Sequence, residues 1–197
     1  LAVCLHPWSW LGGRMNDPVL LSLMDPLHAQ GYHVLRYNSR AVGRSTGWAS
    51  FTNFSEANDL QALIEWAITT VQNVRSVAVV GYSHGSLITS LQPILTGIET
   101  SHILISYPLG VRGLLTLFRS RYEEQLRQLL LEPEANVLVV YGDHDEFTSA
   151  ARYRAWRSGL EGATRGKLKC VEVGGGSHFW RDEDGDELLE IVSGWLP

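Results

Sequence analysis

Residues 76–90 read SVAVVGYSHGSLITS, and their reading decides the fold. SVAVV is a short β-branched apolar run, SLITS opens a segment of helical character, and Gly81-Tyr82-Ser83-His84-Gly85 lies between them. A serine on a tight strand-to-helix turn lifts its hydroxyl above the edge of a sheet. Flanking glycines let the backbone bend where a Cβ would clash. Ligands of open parallel sheets gather outside the carboxyl ends of the strands. The stretch therefore implies both an architecture and a place for chemistry.

Working outward, short apolar runs alternate with longer segments of helical period, the pattern of a parallel sheet covered on both faces by helices. Six runs qualify as strands: residues 1–5, 32–37, 76–80, 102–106, 136–141 and 168–173. Nearly all are unbroken apolar cores, as expected of strands buried on both sides. The expected class is α/β, a three-layer α/β/α sandwich around a mostly parallel sheet. The clearest helix follows Ser55, a candidate N-cap, with Leu60, Leu63, Ile64, Ala67, Ile68 and Val71 on one stripe. Another follows Asp17-Pro18, since Asp caps and Pro is tolerated at the first helical position; Pro26 should kink or end it near Asp25. Residues 107–131 leave the rhythm for a loop and a helix with Leu115, Phe118, Tyr122, Leu126 and Leu129 on one face, either core or a small cap over a pocket. No repeat or Gly/Ser/Pro-rich linker divides the chain, so residues 1–197 read as a single domain.

A chain of 197 residues can bury roughly 70% of its unfolded surface without a staple. Cys4 and Cys170 lie in strand-like apolar segments, where free thiols behave as small hydrophobes; sequence alone leaves a bridge between them, and the compartment, open. The net charge of −5 with no basic stripe argues against a nucleic-acid surface. No apolar run approaches the ~20 residues of a membrane span.

A serine hydroxyl is a weak nucleophile until a base takes its proton, and the base needs a third group to orient it. Asp145 follows the strand NVLVVY and His178 follows KCVEV, so both belong to loops at the same sheet edge as Ser83. Asp143 could also face the histidine; G-x-x-D spacing favours Asp145. His6, His84, His144 and His178 lack the short fixed spacings of zinc ligands, so no metal is expected. His6 reads as a loop residue bonding backbone, and His28, His33 and His102 as surface or strand-end residues. Arg36, Arg40 and Arg44 favour ion pairing beneath the site over an anion pocket. Trp8, Trp10, Tyr82, Tyr107, Phe147, Phe179 and Trp180 all fall at strand ends and suggest an apolar pocket, with Trp10, Tyr82, Tyr107, Phe147 and Phe179 as its candidate walls.

With Ser, Asp and His in that chain order, the sequence resembles the α/β-hydrolase superfamily, in particular small, nearly lid-free esterase-like members related to dienelactone hydrolases. LHPWSWLGG (5–13) resembles the family's H-G or H-P loop after its third strand, and YNSRAVGRSTG (37–47) its N-x-R-G-x-G-x-S loop. The resemblance implies an oxyanion hole from the backbone N–H groups of His84 and Trp8, and no cofactor. Ala41 stands where the family commonly has glycine, and Ser83 where dienelactone hydrolases carry cysteine. The opening strand matches the family's third, so the family's first two antiparallel strands are expected either to be missing or to lie upstream of residue 1. The expected activity is hydrolysis of a small or medium carboxylic ester, a small-molecule acyl substrate, through an acyl-enzyme. Acyl transfer, thioester or peptide cleavage, and a non-catalytic ligand-binding member are the alternatives.

Overall fold

The computed structural model describes residues 1–50, 52–110 and 119–196. Six parallel strands form one sheet: β1 (Ala2–Leu5), β2 (Val34–Arg36), β3 (Ser76–Tyr82), β4 (Glu99–Ile105), β5 (Asn136–Gly142) and β6 (Lys167–Val173), in the order β2-β1-β3-β4-β5-β6. The chain steps to one side from β1 to β2, then crosses back to β3 and continues outward. The strand order therefore reverses between β1 and β3, and a crevice opens there at the carboxyl edge. Leu5 pairs with Gly81, and Tyr82 with Ile105, so the loops that follow β1, β3 and β4 emerge side by side.

Seven α-helices among the described residues accompany the sheet: α1 (Pro18–Ser22), α2 (Met24–Ala29), α3 (Phe54–Thr70), α4 (His84–Thr89), α5 (Arg119–Leu131), α6 (Ala150–Ala163) and α7 (Glu183–Ser193). Successive strand side chains point to opposite faces, and the core divides accordingly. On one face Cys4, Val80, Ile103 and Leu138 meet Leu20 and Leu27 of α1 and α2 and Leu188 and Val192 of α7. On the other, Val3, Leu5 and Val79 meet Leu60 and Ile64 of α3, while Leu104, Val137 and Val139 meet Tyr122, Leu126 and Leu130 of α5 and Tyr153 of α6. Burying a side chain such as Leu60 or Ile64 contributes about 1.5–3 kcal/mol. Cys4 and Cys170 belong to opposite faces and are free thiols, which burial pushes up to about 12 and about 11 respectively. No helix among the described residues is long and apolar enough to cross a membrane.

Several local expectations need correction. The helix expected to follow Ser55 as its N-cap begins at Phe54 instead; Asn53 precedes it in a left-handed conformation and its side chain makes no cap bond. Glu56 in that first turn instead accepts the Ser50 backbone N–H at 2.7 Å and the Ser50 hydroxyl. Asp17 does cap α1 through Val19 N–H at 3.0 Å, yet the helix breaks at Leu23 rather than beside Pro26. Pro26 is accommodated in the first turn of α2, where its missing donor would be unsatisfied anyway. Leu115 and Phe118 lie outside the described residues, whereas Tyr122, Leu126 and Leu129 pack against the sheet face.

Ala41 has φ +61°, in the region that favours glycine. A left-handed alanine costs about 1–2 kcal/mol, and glycine's extra unfolded-state entropy offsets part of the relief. Ala41→Gly is therefore expected to stabilise by about 0.5–1 kcal/mol, read as a higher denaturant midpoint at unchanged m-value.

His102 lies within β4, fully buried, and not at a strand end or surface. Its Nε2–H donates to Gln92 O at 2.8 Å, and burial lowers its pKa to about 4. An unfolded histidine takes its proton near pH ~6.5, while the native one resists until about pH 4. Stability is thus full above ~6.5 and falls as pH drops between those values. Melting temperature should decline from pH ~7 to ~5, with a shallower slope in His102→Gln; equal slopes would exclude this residue as a contributor.

Candidate active site

Ser83 follows β3 directly, anchored by its own N–H donating to Ile105 O at 2.8 Å. Its backbone, φ +52° and ψ −116°, is a strained conformation held by the packing around it. A Cβ on Gly85 would come within 2.5 Å of Leu5 O. Glycine there lets the start of α4 sit directly against the end of β1. Gly142 does the same between β5 and the loop after β6, since a Cβ there would lie 1.9 Å from Gly176 O. That close approach brings the Asp145 loop against the His178 loop.

The three side chains meet. His178 Nε2 is 2.9 Å from Ser83 Oγ, and His178 Nδ1 is 2.7 Å from Asp145 Oδ2. The nitrogen facing the carboxylate carries the ring proton, which leaves Nε2 to accept from the serine hydroxyl. Asp145 Oδ1 accepts the N–H groups of Phe147 and Thr148 at 2.8 and 2.9 Å, and the Tyr153 hydroxyl lies 3.3 Å from Oδ2. The carboxylate is therefore fixed from both ends and fully buried at its side chain. Asp143 is turned elsewhere and accepts Gly175 N–H at 2.7 Å. Around the imidazole, Glu146 accepts the His178 N–H at 2.8 Å and the Tyr82 hydroxyl donates to His178 O at 2.9 Å. The Phe147 ring meets the imidazole edge-on at 4.6 Å.

The loop after β1 is held from beneath. His6 Nδ1–H donates to Pro7 O at 2.7 Å, and its Nε2 accepts Ser39 N–H at 3.0 Å, as expected of a loop residue bonding backbone. Burial lowers the pKa of His6 and, with His6 nearby, takes His84 down to about 4, so both are neutral near pH 7. With no cis peptide present, the Trp8 N–H points opposite to the Pro7 carbonyl, away from His6. Among the described residues neither this N–H nor that of His84, at the start of α4, meets a protein acceptor.

Ser83 and His178 open into a cavity of about 350 Å³ whose wall includes Pro7, Trp8, Leu11, Val19, Phe147 and Trp180. Of the expected wall residues, Tyr82, Phe147 and Phe179 line it. Trp10 does not: it stacks on Trp8 at 5.7 Å and is 79% exposed. Tyr107 does not either, being fully buried against Trp156 at 4.8 Å. Asp17 and Arg181 also line the cavity. Asp17 escaped attention because its helix-capping role fully explained it in the sequence. Arg40 pairs with Asp59 at 2.6 Å, and Arg36 donates to Met15 O and Asn16 Oδ1, so these two brace the loop. Among the described residues no group of three His, Cys, Asp or Glu side chains is placed to hold a metal ion.

A model of the X-Pro dipeptidyl-peptidase (S15) family matches residues 5–100, a span that holds Ser83 but neither Asp145 nor His178. An uncharacterized protein of Rickettsia prowazekii is 28% identical over 199 residues, covering all of this chain and 78% of its own. A lid-free α/β serine hydrolase from Xanthomonas campestris superposes with a TM-score of 0.77 at 27% identity, over 100% of this chain and 82% of that one. A protein of unknown function from Agrobacterium tumefaciens, described as a putative α/β hydrolase, gives a TM-score of 0.80 at 22% identity, over 98% and 82%. Taken with the parallel sheet and its strand order, these likenesses lead to one assignment: the chain is a hydrolase of the α/β-hydrolase superfamily.

Proposed function

We propose that the chain hydrolyses carboxylic esters of small or medium acyl groups through an acyl-enzyme on Ser83. The observation that carries this reading is the continuous Ser83–His178–Asp145 relay opening into a mostly apolar cavity. Ser83 Oγ attacks the acyl carbon while His178 Nε2 takes its proton. The tetrahedral intermediate collapses as the C–O bond to the alcohol breaks, and His178 returns the proton to the departing alkoxide. Water then attacks the acyl-enzyme, again giving a proton to Nε2, which passes it back to Ser83 as the acid leaves. Asp145 holds the tautomer and stabilises the imidazolium, a role worth far more in a buried site than in water. The free N–H groups of Trp8 and His84 would receive the oxyanion, each such donor contributing about 3–4 kcal/mol to the transition state.

Peptide cleavage is the second reading, favoured by the match to the peptidase family over residues 5–100. Fluorophosphonate labelling with mass spectrometry of the modified peptide tests the nucleophile. A panel of p-nitrophenyl esters of rising chain length, acyl thioesters and X-Pro anilides tests the substrate. Label on Ser83 and fastest turnover of short to medium esters are expected. A protein that resists the label, or that cleaves anilides faster than esters, would overturn the ester assignment.

A further inference from the structure

The mostly apolar wall of the cavity carries one half-buried carboxylate, Asp17. Its Oδ1 accepts Val19 N–H at 3.0 Å, and among the described residues its Oδ2 has no protein partner. Capping α1 requires only one oxygen, and a neutral Asn or Ser serves as well. The second oxygen and the negative charge are therefore left over by the structural role. Burial raises the Asp17 pKa, the mark of a carboxylate short of solvation, while the charge of His178 acts on it in the opposite sense. Asp17 lines the same cavity as Ser83 and His178, which puts its carboxylate on the wall of the space where the reaction occurs. The other charged side chain on the wall, Arg181, is exposed, rests over the Phe179 ring at 5.3 Å and makes no ion pair with Asp17. Asp17 is thus not neutralised from within the protein.

We infer that Asp17 selects the substrate: the cavity takes acyl compounds bearing a protonated amine a few bonds from the scissile carbonyl, and the free oxygen of Asp17 receives that ammonium. The inference rests on the reading of Ser83 as nucleophile. An ammonium in this position exchanges its water shell for a carboxylate that is itself poorly hydrated, so the charge-assisted hydrogen bond is stronger than at an exposed surface. Asp17 acts in binding and takes no part in the proton relay.

Binding to Ser83→Ala protein, measured by calorimetry, tests this without turnover. Two isosteric pairs serve as probes: ethyl 4-aminobutyrate against ethyl pentanoate for the acyl side, and 2-(dimethylamino)ethyl butyrate against 3-methylbutyl butyrate for the alcohol side. One pair should show the cationic member binding about 10- to 100-fold tighter, the span of a hydrogen bond to a charged group. In Ser83→Ala/Asp17→Asn, which keeps the helix cap, that advantage should fall to about twofold or less. Equal binding of both members in both pairs overturns the inference without any Asp17 variant, and so does a preference that survives Asp17→Asn. Failure of the ester reading shows separately, as absence of fluorophosphonate label on the unaltered protein.

Discussion

Ser83→Ala is expected to lower kcat toward an activated ester by about 10⁵–10⁶-fold, the scale at which a serine nucleophile fails once its oxygen is removed. What remains would come from the Trp8 and His84 N–H groups and from substrate binding, neither of which the substitution touches. The fold should survive, because Ser83 is anchored by its backbone N–H to Ile105 O and not by its hydroxyl. The measurement is a rate comparison on one p-nitrophenyl ester, with fluorophosphonate labelling and thermal melting as controls. A folded variant retaining more than a hundredth of the activity would show that another group attacks the substrate.

Asp145→Asn should cost about 10⁴-fold in kcat, and the geometry explains why so small a change does so much. Oδ1 accepts two backbone N–H groups, from Phe147 and Thr148, so the amide oxygen of an asparagine must occupy that position. Its NH₂ is then forced to face His178 Nδ1, which can only accept. The ring proton moves to Nε2 and points at Ser83 Oγ, where a base is needed. The imidazole would stay in place in the wrong tautomer. The loss should therefore appear in kcat, with KM little changed and the melting temperature close to that of the unaltered protein. A comparable loss accompanied by unfolding would indicate that the carboxylate matters chiefly as a structural tie between its loop and the His178 loop.

The two substitutions also mark what could be read along the chain. Strand positions were legible because side chains such as Val77, Val79, Val137 and Val139 lie in a sheet covered on both faces, which leaves long apolar runs. The positions of Ser83, Asp145 and His178 after β3, β5 and β6 were legible because parallel strands bring their following loops to one edge. Helix starts were less so: Ser55 is of a favoured capping type, yet the cap position falls two residues earlier, at Asn53, with Glu56 held by Ser50. Aromatic residues at strand ends were least legible. Trp10 and Phe179 look alike in the sequence, but one stacks on the outside of Trp8 and the other lines the cavity.

The order of apolar runs, the glycines around Ser83 and the types of the three relay residues were thus determined by the sequence alone, because each depends on local chain geometry or on the strand-loop alternation. Tertiary structure alone decided that Cys4 and Cys170 stand on opposite faces and that Asp17 lines the cavity that holds Ser83, and it turned Asp145, the aspartate favoured by the spacing, to the imidazole while sending Asp143 to Gly175. These are matters of direction between segments far apart in the chain. They are set by how closely strands and loops can approach, as at Gly85 and Gly142, and that approach has no counterpart in the local pattern of residues.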